Sequence, residues 1–316
     1  MKTQTGESYE GGKYAKMLTV AGAKDGKTCT LVCGALGVLP WQTSGAIVSR
    51  PENLHVVTAD SAALEGIQAF ITKTCGGPKE ALKFNVYNMQ DDTKKAFAST
   101  SEYDGTYYNT LMTTLQAIAQ KTGSGTHAVI ISSLTSFASG ILRSVSGPPS
   151  AMASGGAMKK SVMDQNKWSS YGGMMAQLQN FAQQDIWHCF WEGHLVKKPT
   201  NEKDDAGRQV ERDSIQVPGG AGASWAANTD QVVRFRRQHG MKWPGSKCDR
   251  TFMDTRAALD FNSNGRGFNE ALDPQEPCLT VLLQKLGKQT GGWGAKSGKP
   301  KPVAPAKAPA KSDDFE

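Results

Sequence analysis

No stretch of about 18 uncharged apolar residues occurs in this 316-residue chain, so a membrane-spanning helix is not expected. The first residues, MKTQTGESYEGGKYAK, hold no apolar segment of the kind a secretory signal needs. Cysteine is sparse: Cys29, Cys33, Cys75, Cys189, Cys248 and Cys278 are scattered with no CxxC pair. That spacing excludes a zinc ribbon and a disulfide framework and fits reduced thiols, so the expected compartment is the cytoplasm. An excess of one charge sign is also modest. The net charge is +7, of which +3 belongs to residues 287–316, with six lysines and three acids, leaving +4 for the rest. Such a surplus permits a polyanionic partner and does not demand one. No internal repeat is visible.

What is present is an alternation of short apolar runs with longer amphipathic ones. Lys16–Ala21 (KMLTVA), Leu54–Ala59 (LHVVTA), Lys83–Met89 (KFNVYNM), His127–Ser132 (HAVIIS) and Asp185–Glu192 (DIWHCFWE) read as strands. Tyr107–Lys121 carries Tyr108, Leu111, Leu115 and Ile118 at helical spacing, and Asp164–Gln184 is a second long helical stretch. Strands separated by helices of this length make βαβ units, so the fold class is α/β with a mainly parallel central sheet flanked by helices. Three stretches read as irregular: 145–160, rich in Gly, Pro, Ser and Ala; 197–224, polar and then glycine-rich; and the Lys/Pro/Ala segment from about 288 onward. The expected organisation is an N-terminal arm (1–14), a core domain (15–286) and a disordered tail (287–316).

The motif with the most chemistry in it is Ala21-Gly22-Ala23-Lys24-Asp25-Gly26-Lys27-Thr28, followed by Cys29. It fits the phosphate-binding loop pattern with alanine in place of the first glycine. The chemistry requires a strand to deliver the loop, backbone N–H groups to wrap the phosphates, and a helix to point its positive end at them. KMLTVA precedes the loop and an apolar helical stretch follows it. In this reading Gly26 lets the backbone approach, Lys27 reaches the β/γ-phosphates and Thr28 ligates Mg²⁺. The competing reading is a Gly/Lys surface turn.

From this point the chain resembles a family: the phage-encoded RecA-like ATP-binding proteins of recombination and single-strand annealing. The resemblance rests on the order of the P-loop, LHVVTADS, HAVIISSLTSF and DIWHCFWEGHLVKK. It extends through NKWSSYGGMMAQLQNFAQQ, TDQVVRFRR and DFNSNGRGFNEALDPQEPCLTVLLQKL, covering residues 15–286. It implies a RecA-like P-loop core, ATP and Mg²⁺ as ligands, assembly into a ring or filament, single-stranded DNA as partner, and the host cytoplasm as location. Residue by residue, it makes Lys27 and Thr28 the Walker A pair and Asp60 the carboxylate that orients the attacking water. It makes His194 the sensor of the γ-phosphate and Arg266 the residue reaching a neighbouring subunit's nucleotide. One position departs. Where the fourth strand should end in the acid that holds Mg²⁺, this chain has Ser132, which cannot supply that charge. Asp60 or another carboxylate compensates, or hydrolysis is slow.

Other residues have two readings each. Asp60 serves equally well as a helix N-cap, and His194 as an exposed loop histidine. Trp187 and Trp191 alternate with apolar neighbours and belong in a core. Lys197, Lys198, Arg234 and Arg236 are candidate DNA contacts, the last two on one strand face; the competing reading is a solvated edge. The tip Asp313-Asp314-Phe315-Glu316 resembles the partner-recruiting tails of single-strand-binding proteins. The functional expectation is an ATP-binding, weakly hydrolysing protein acting on single-stranded DNA. The alternatives are an ATP-stabilised, non-hydrolytic DNA-binding scaffold or a P-loop small-molecule kinase.

Overall fold

The computed structural model describes residues 12–22, 25–39, 46–98, 104–122, 125–147, 163–219, 221–242, 249–254 and 279–292. In chain order the elements are β1 (Lys16–Ala21), α1 (Lys27–Ala35), β2 (Ala46–Ile47), β3 (Leu54–Thr58), α2 (Ser61–Ala69), β4 (Asn85–Asn88), α3 (Gln90–Ala98), α4 (Thr106–Lys121), β5 (Ala128–Ser132), α5 (Leu134–Ser146) and α6 (Gln165–Ala182). They continue with β6 (His188–Lys203), β7 (Gln209–Ile215), α7 (Ala221–Ala227), β8 (Gln231–Lys242), β9 (Asp249–Asp254), α8 (Leu279–Lys285) and β10 (Gly291–Gly292).

The central sheet runs β4-β3-β5-β6-β1-β8-β9, with β7 paired to β6 off this path. Every pair from β4 to β8 is parallel; β9 on β8 and β7 on β6 are antiparallel. This is the mainly parallel, helix-flanked α/β core expected from the sequence. Parallel strands covered on both faces must be apolar on both, which is why KMLTVA, LHVVT and AVIIS are continuous runs and every residue in them is buried. Alternation then divides their side chains between two cores. Leu18, Val20, Val57, Val129, Ile131 and Trp191 pack with α4, α5 and α6; Met17, Ala21, Val56, Ile130 and Phe190 pack with α1 and α8. The Trp187 and Trp191 rings are fully enclosed, as their spacing required.

Helix starts follow local chemistry. Ser133 caps α5 by accepting from the Ser136 N–H at 3.2 Å, and Asp164 caps α6 by accepting from the Lys167 N–H at 2.8 Å. The α4 stripe Tyr108, Leu111, Leu115 and Ile118 faces the core at the predicted spacing.

Two stretches differ from their sequence reading. Residues 197–215, read as irregular, form the β6–β7 ribbon, turned at Gly207 (φ +74°), where the Asp204 carboxylate accepts from the Arg208 N–H at 2.8 Å. The ribbon extends past the core, so no apolar alternation marked it. The first residues of the segment read as a tail are tied to the body. The Lys288 ammonium donates to the Gly12 carbonyl at 2.8 Å, the Gln289 carbonyl lies 2.7 Å from His188 Nε2, and β10 pairs with β2. Residues 293–316, including the acidic tip, and residues 148–162, most of the expected mobile loop, lie outside the described residues.

Candidate functional site

Strand register decides which side chains meet. Ala21 at the end of β1 is level with His194 on β6, Ile131 on β5 is level with Trp191, and Thr58 at the end of β3 is level with Ser132. The loop after β1, Ser132, His194 and the segment carrying Asp60 therefore share the carboxyl edge of the sheet, where open parallel sheets bind ligands.

Gly26 adopts φ +76°, a left-handed position that a side chain would strain, and no side chain caps α1 there. A Cβ on Gly22 would lie 2.9 Å from the Asp25 carboxylate. The first turn of α1 has no acid in it and no side-chain cap, so its first N–H groups are not claimed by a capping side chain. Lys27 folds back over the loop: its Nζ donates to the Gly22 carbonyl at 3.1 Å and lies 3.4 Å from His194 Nδ1. Burial lowers the Lys27 pKa, while Glu192 and Asp25 pull it up. Burial also lowers that of His194, with the Lys27 charge adding to the effect, so a neutral imidazole faces the ammonium. The His194 N–H donates to Thr135 Oγ1 at 3.2 Å, which fixes this end of β6 against α5.

Beside this, Thr28 and Ser132, both named from the sequence, meet Glu192, which the sequence reading missed. Thr28 Oγ1 donates to Glu192 Oε2 at 2.7 Å, Ser132 Oγ donates to the same oxygen at 3.0 Å, and the two hydroxyls are 3.3 Å apart. Glu192 is 1% exposed. Its Oε1 has no hydrogen-bond partner among the described residues. Burial pushes the Glu192 pKa up to about 7, against the Thr28 hydrogen bond, the Lys27 charge and the Ser132 hydrogen bond. The signal was in the alternation of FWE: Phe190 faces the α1 side and Trp191 the other, so Glu192 returns to the α1 side, where it meets Thr28.

Thr28, Ser132 and Glu192 offer hydroxyl and carboxylate oxygens with no nitrogen or sulfur, and one carboxylate oxygen is unused. Mg²⁺ takes one or two carboxylates and fills the rest of its shell with water and substrate phosphates, so this donor set fits it. Among the described residues no group of three or more His, Cys, Asp or Glu forms a self-sufficient metal cage.

The remaining candidates are placed as follows. Asp60 is exposed, two residues beyond β3 and one before α2, with its N–H 3.1 Å from Thr58 Oγ1. Ala21 is buried at the end of β1, Cys29 is half-buried in α1, and Ala23, Lys24 and Arg266 lie outside the described residues. Among the DNA candidates, Arg234 Nη1 and Lys197 Nζ bind the two oxygens of Asp213 at 2.7 and 3.2 Å. Although burial raises the Asp213 pKa, these two cations outweigh it and hold the carboxyl below its ordinary range. Arg236 and Lys198 are exposed. No helix among the described residues is long and apolar enough to cross a membrane.

Compared with solved structures, the chain is similar to that of the RadB recombinase, at 12% identity over 77% of this chain and 88% of that one, with a TM-score of 0.34. It is also similar to the flagellar accessory protein FlaH from Methanocaldococcus jannaschii, at 10% identity over 81% of this chain and 82% of that one, with a TM-score of 0.36. No protein-family model matches the chain, and no curated protein does.

Proposed function

We propose that this protein binds ATP with Mg²⁺ at the loop after β1, hydrolyses it weakly, and acts on single-stranded DNA as an oligomer in recombination, annealing or replication. The observation that carries the reading is the convergence of Lys27, Thr28, Ser132 and His194 at one carboxyl edge, around a left-handed Gly26 and an uncapped α1. Each of these residues has a definite task. The open N–H groups of α1 receive the phosphates. Lys27 exchanges the Gly22 carbonyl for a β/γ-phosphate oxygen, a stronger partner because it is charged. His194, neutral and 3.4 Å from that ammonium, is placed to register whether a γ-phosphate is present. Thr28 and Ser132 would help hold Mg²⁺ through their hydroxyl oxygens, and the ion would supply positive charge against the phosphates. Asp60, exposed on the same edge, is the candidate to orient water.

The single-strand partner is supported by the exposed cations Arg236 and Lys198 on the β8 and β6 strands, which continue past the nucleotide edge. The acidic tip at 313–316 is the segment assigned to recruiting a replication partner. ATP turnover with and without single-stranded DNA tests the reading, together with DNA binding at low salt. Stimulated turnover and salt-sensitive binding are expected. A folded protein that turns over nucleotide but ignores single strands under all conditions would remove the DNA part and favour a small-molecule kinase.

A further inference from the structure

Ser132 occupies the strand end where an acid is needed, and no other residue of AVIIS is acidic. On the reading of a Mg²⁺–nucleotide site given above, we infer that Glu192 is the carboxylate that retains the divalent cation, supplied from the neighbouring strand, and that Ser132 positions it.

Three observations converge on this assignment. The first is reach. β5 and β6 are parallel neighbours with Ile131 level with Trp191, which puts Glu192 beside Ser132. Adjacent strands lie roughly 4.8 Å apart, a gap that a glutamate side chain crosses more readily than the shorter aspartate. The small serine leaves that space open.

The second is an unmatched valence. A buried structural carboxylate is normally saturated by N–H donors or a guanidinium, because burying it unpaired costs several kcal/mol. Glu192 has only two hydroxyl donors, both on Oε2, and Oε1 is unpartnered among the described residues. The nearest cation, Lys27, has its Nζ turned to Gly22 and His194. Hydroxyls suit the role because they can donate to the carboxylate without metal and accept a cation with it. The third is the neighbour: Glu192 bonds Thr28, the residue that the loop motif itself assigns to the metal. Asp60, the other candidate acid, is exposed and lies beyond the strand end.

The test uses full-length protein, Mn²⁺ as a paramagnetic stand-in for Mg²⁺, and a non-hydrolysable ATP analogue. Electron paramagnetic resonance reads free Mn²⁺, while a fluorescent nucleotide in EDTA reads metal-free affinity. Glu192→Gln should weaken Mn²⁺ binding about tenfold or more and leave metal-free nucleotide affinity near wild type. Asp60→Asn should leave Mn²⁺ affinity unchanged. The double exchange Glu192→Ser with Ser132→Asp returns the acid to the other strand and should recover Mn²⁺ binding lost in Glu192→Ser alone, which a purely structural role for Glu192 would not produce. Should Glu192→Gln fail to fold, Glu192→Asp keeps the charge, shortens the reach and should give a smaller loss in the same direction. Wild-type Mn²⁺ affinity in folded Glu192→Gln, or loss of it in Asp60→Asn instead, overturns the assignment. If the wild type binds no nucleotide in EDTA or in Mn²⁺, the nucleotide reading falls and this inference with it.

Discussion

Replacing Glu192 by glutamine should make the metal-free protein more stable at neutral and alkaline pH, although the change alters a fully buried, hydrogen-bonded side chain. Burial raises the Glu192 pKa from its ordinary 4.5 to about 7. Between those values the folded chain holds a proton that the unfolded chain has released. Folded protein therefore binds more protons in that window, and stability falls as pH rises through it. The contribution is fully present below pH 4.5 and gone above about pH 7. A shift of roughly 2.5 units corresponds to about 3 kcal/mol. Glutamine escapes this loss because it has no charge to bury, but its amide places an unpaired N–H₂ in the site, at a cost of about 1 kcal/mol. The net gain at pH 8 is about 2 kcal/mol, or roughly 4 °C in Tm for a chain of this size. Thermal and urea unfolding of both proteins in EDTA, at pH 4.5 and pH 8, measures it. At pH 4.5 the variant should match the wild type or fall slightly below it. A variant less stable than wild type at both pH values, by the same amount, would refute the reasoning.

Ser132→Asp places a second carboxylate against Glu192; two charges about 4 Å apart repel by about 4 kcal/mol at an effective dielectric of 20. The variant's melting temperature should fall in EDTA and recover with Mg²⁺ more than the wild type's does. Arg236→Ala should flatten the salt dependence of single-strand binding by a log–log slope of about 0.7, the value of one phosphate contact. Arg234→Ala should instead destabilise the fold by about 1–2 kcal/mol, because it removes a charged hydrogen bond from Asp213; calorimetry separates the two outcomes. Deleting residues 293–316 should leave Tm unchanged, whereas deleting 288–316 also removes the Lys288 and Gln289 contacts and β10, and should lower it measurably.

The buried strands were legible because a parallel sheet covered on both faces leaves apolar runs that few other structures produce. Lys16–Ala21 is predicted and observed with the same bounds, and AVIIS and LHVVT differ by one residue at one end. The loop after β1 stood out because glycines and a lysine cluster between an apolar strand and a helix, the pattern a phosphate-binding loop would need. Glu192 was not named because the sequence offered Asp60 or an unspecified carboxylate in place of the missing acid, and its contacts with Thr28 and Ser132 depend on pairing between strands. Only strand order makes β5 and β6 neighbours, and strand order is a tertiary fact. The β6–β7 ribbon escaped for a different reason: its base, at Leu195 and Ile215, meets the core, while the polar residues beyond it have no hydrophobic period to read. The pairing of Arg234 and Lys197 with Asp213 likewise depended on a hairpin register that the composition of 197–224 does not encode.

The central claim is that the loop after β1 is a nucleotide site, and direct binding of ATP to the wild type and to Lys27→Ala tests it most directly. Isothermal titration in Mg²⁺, with circular dichroism to establish that both proteins are folded, should find one ATP per chain for the wild type. The variant should lose about 2–5 kcal/mol of binding, at least thirtyfold in Kd. A wild type that binds no ATP, or a folded Lys27→Ala that binds it as tightly as the wild type, would contradict the account.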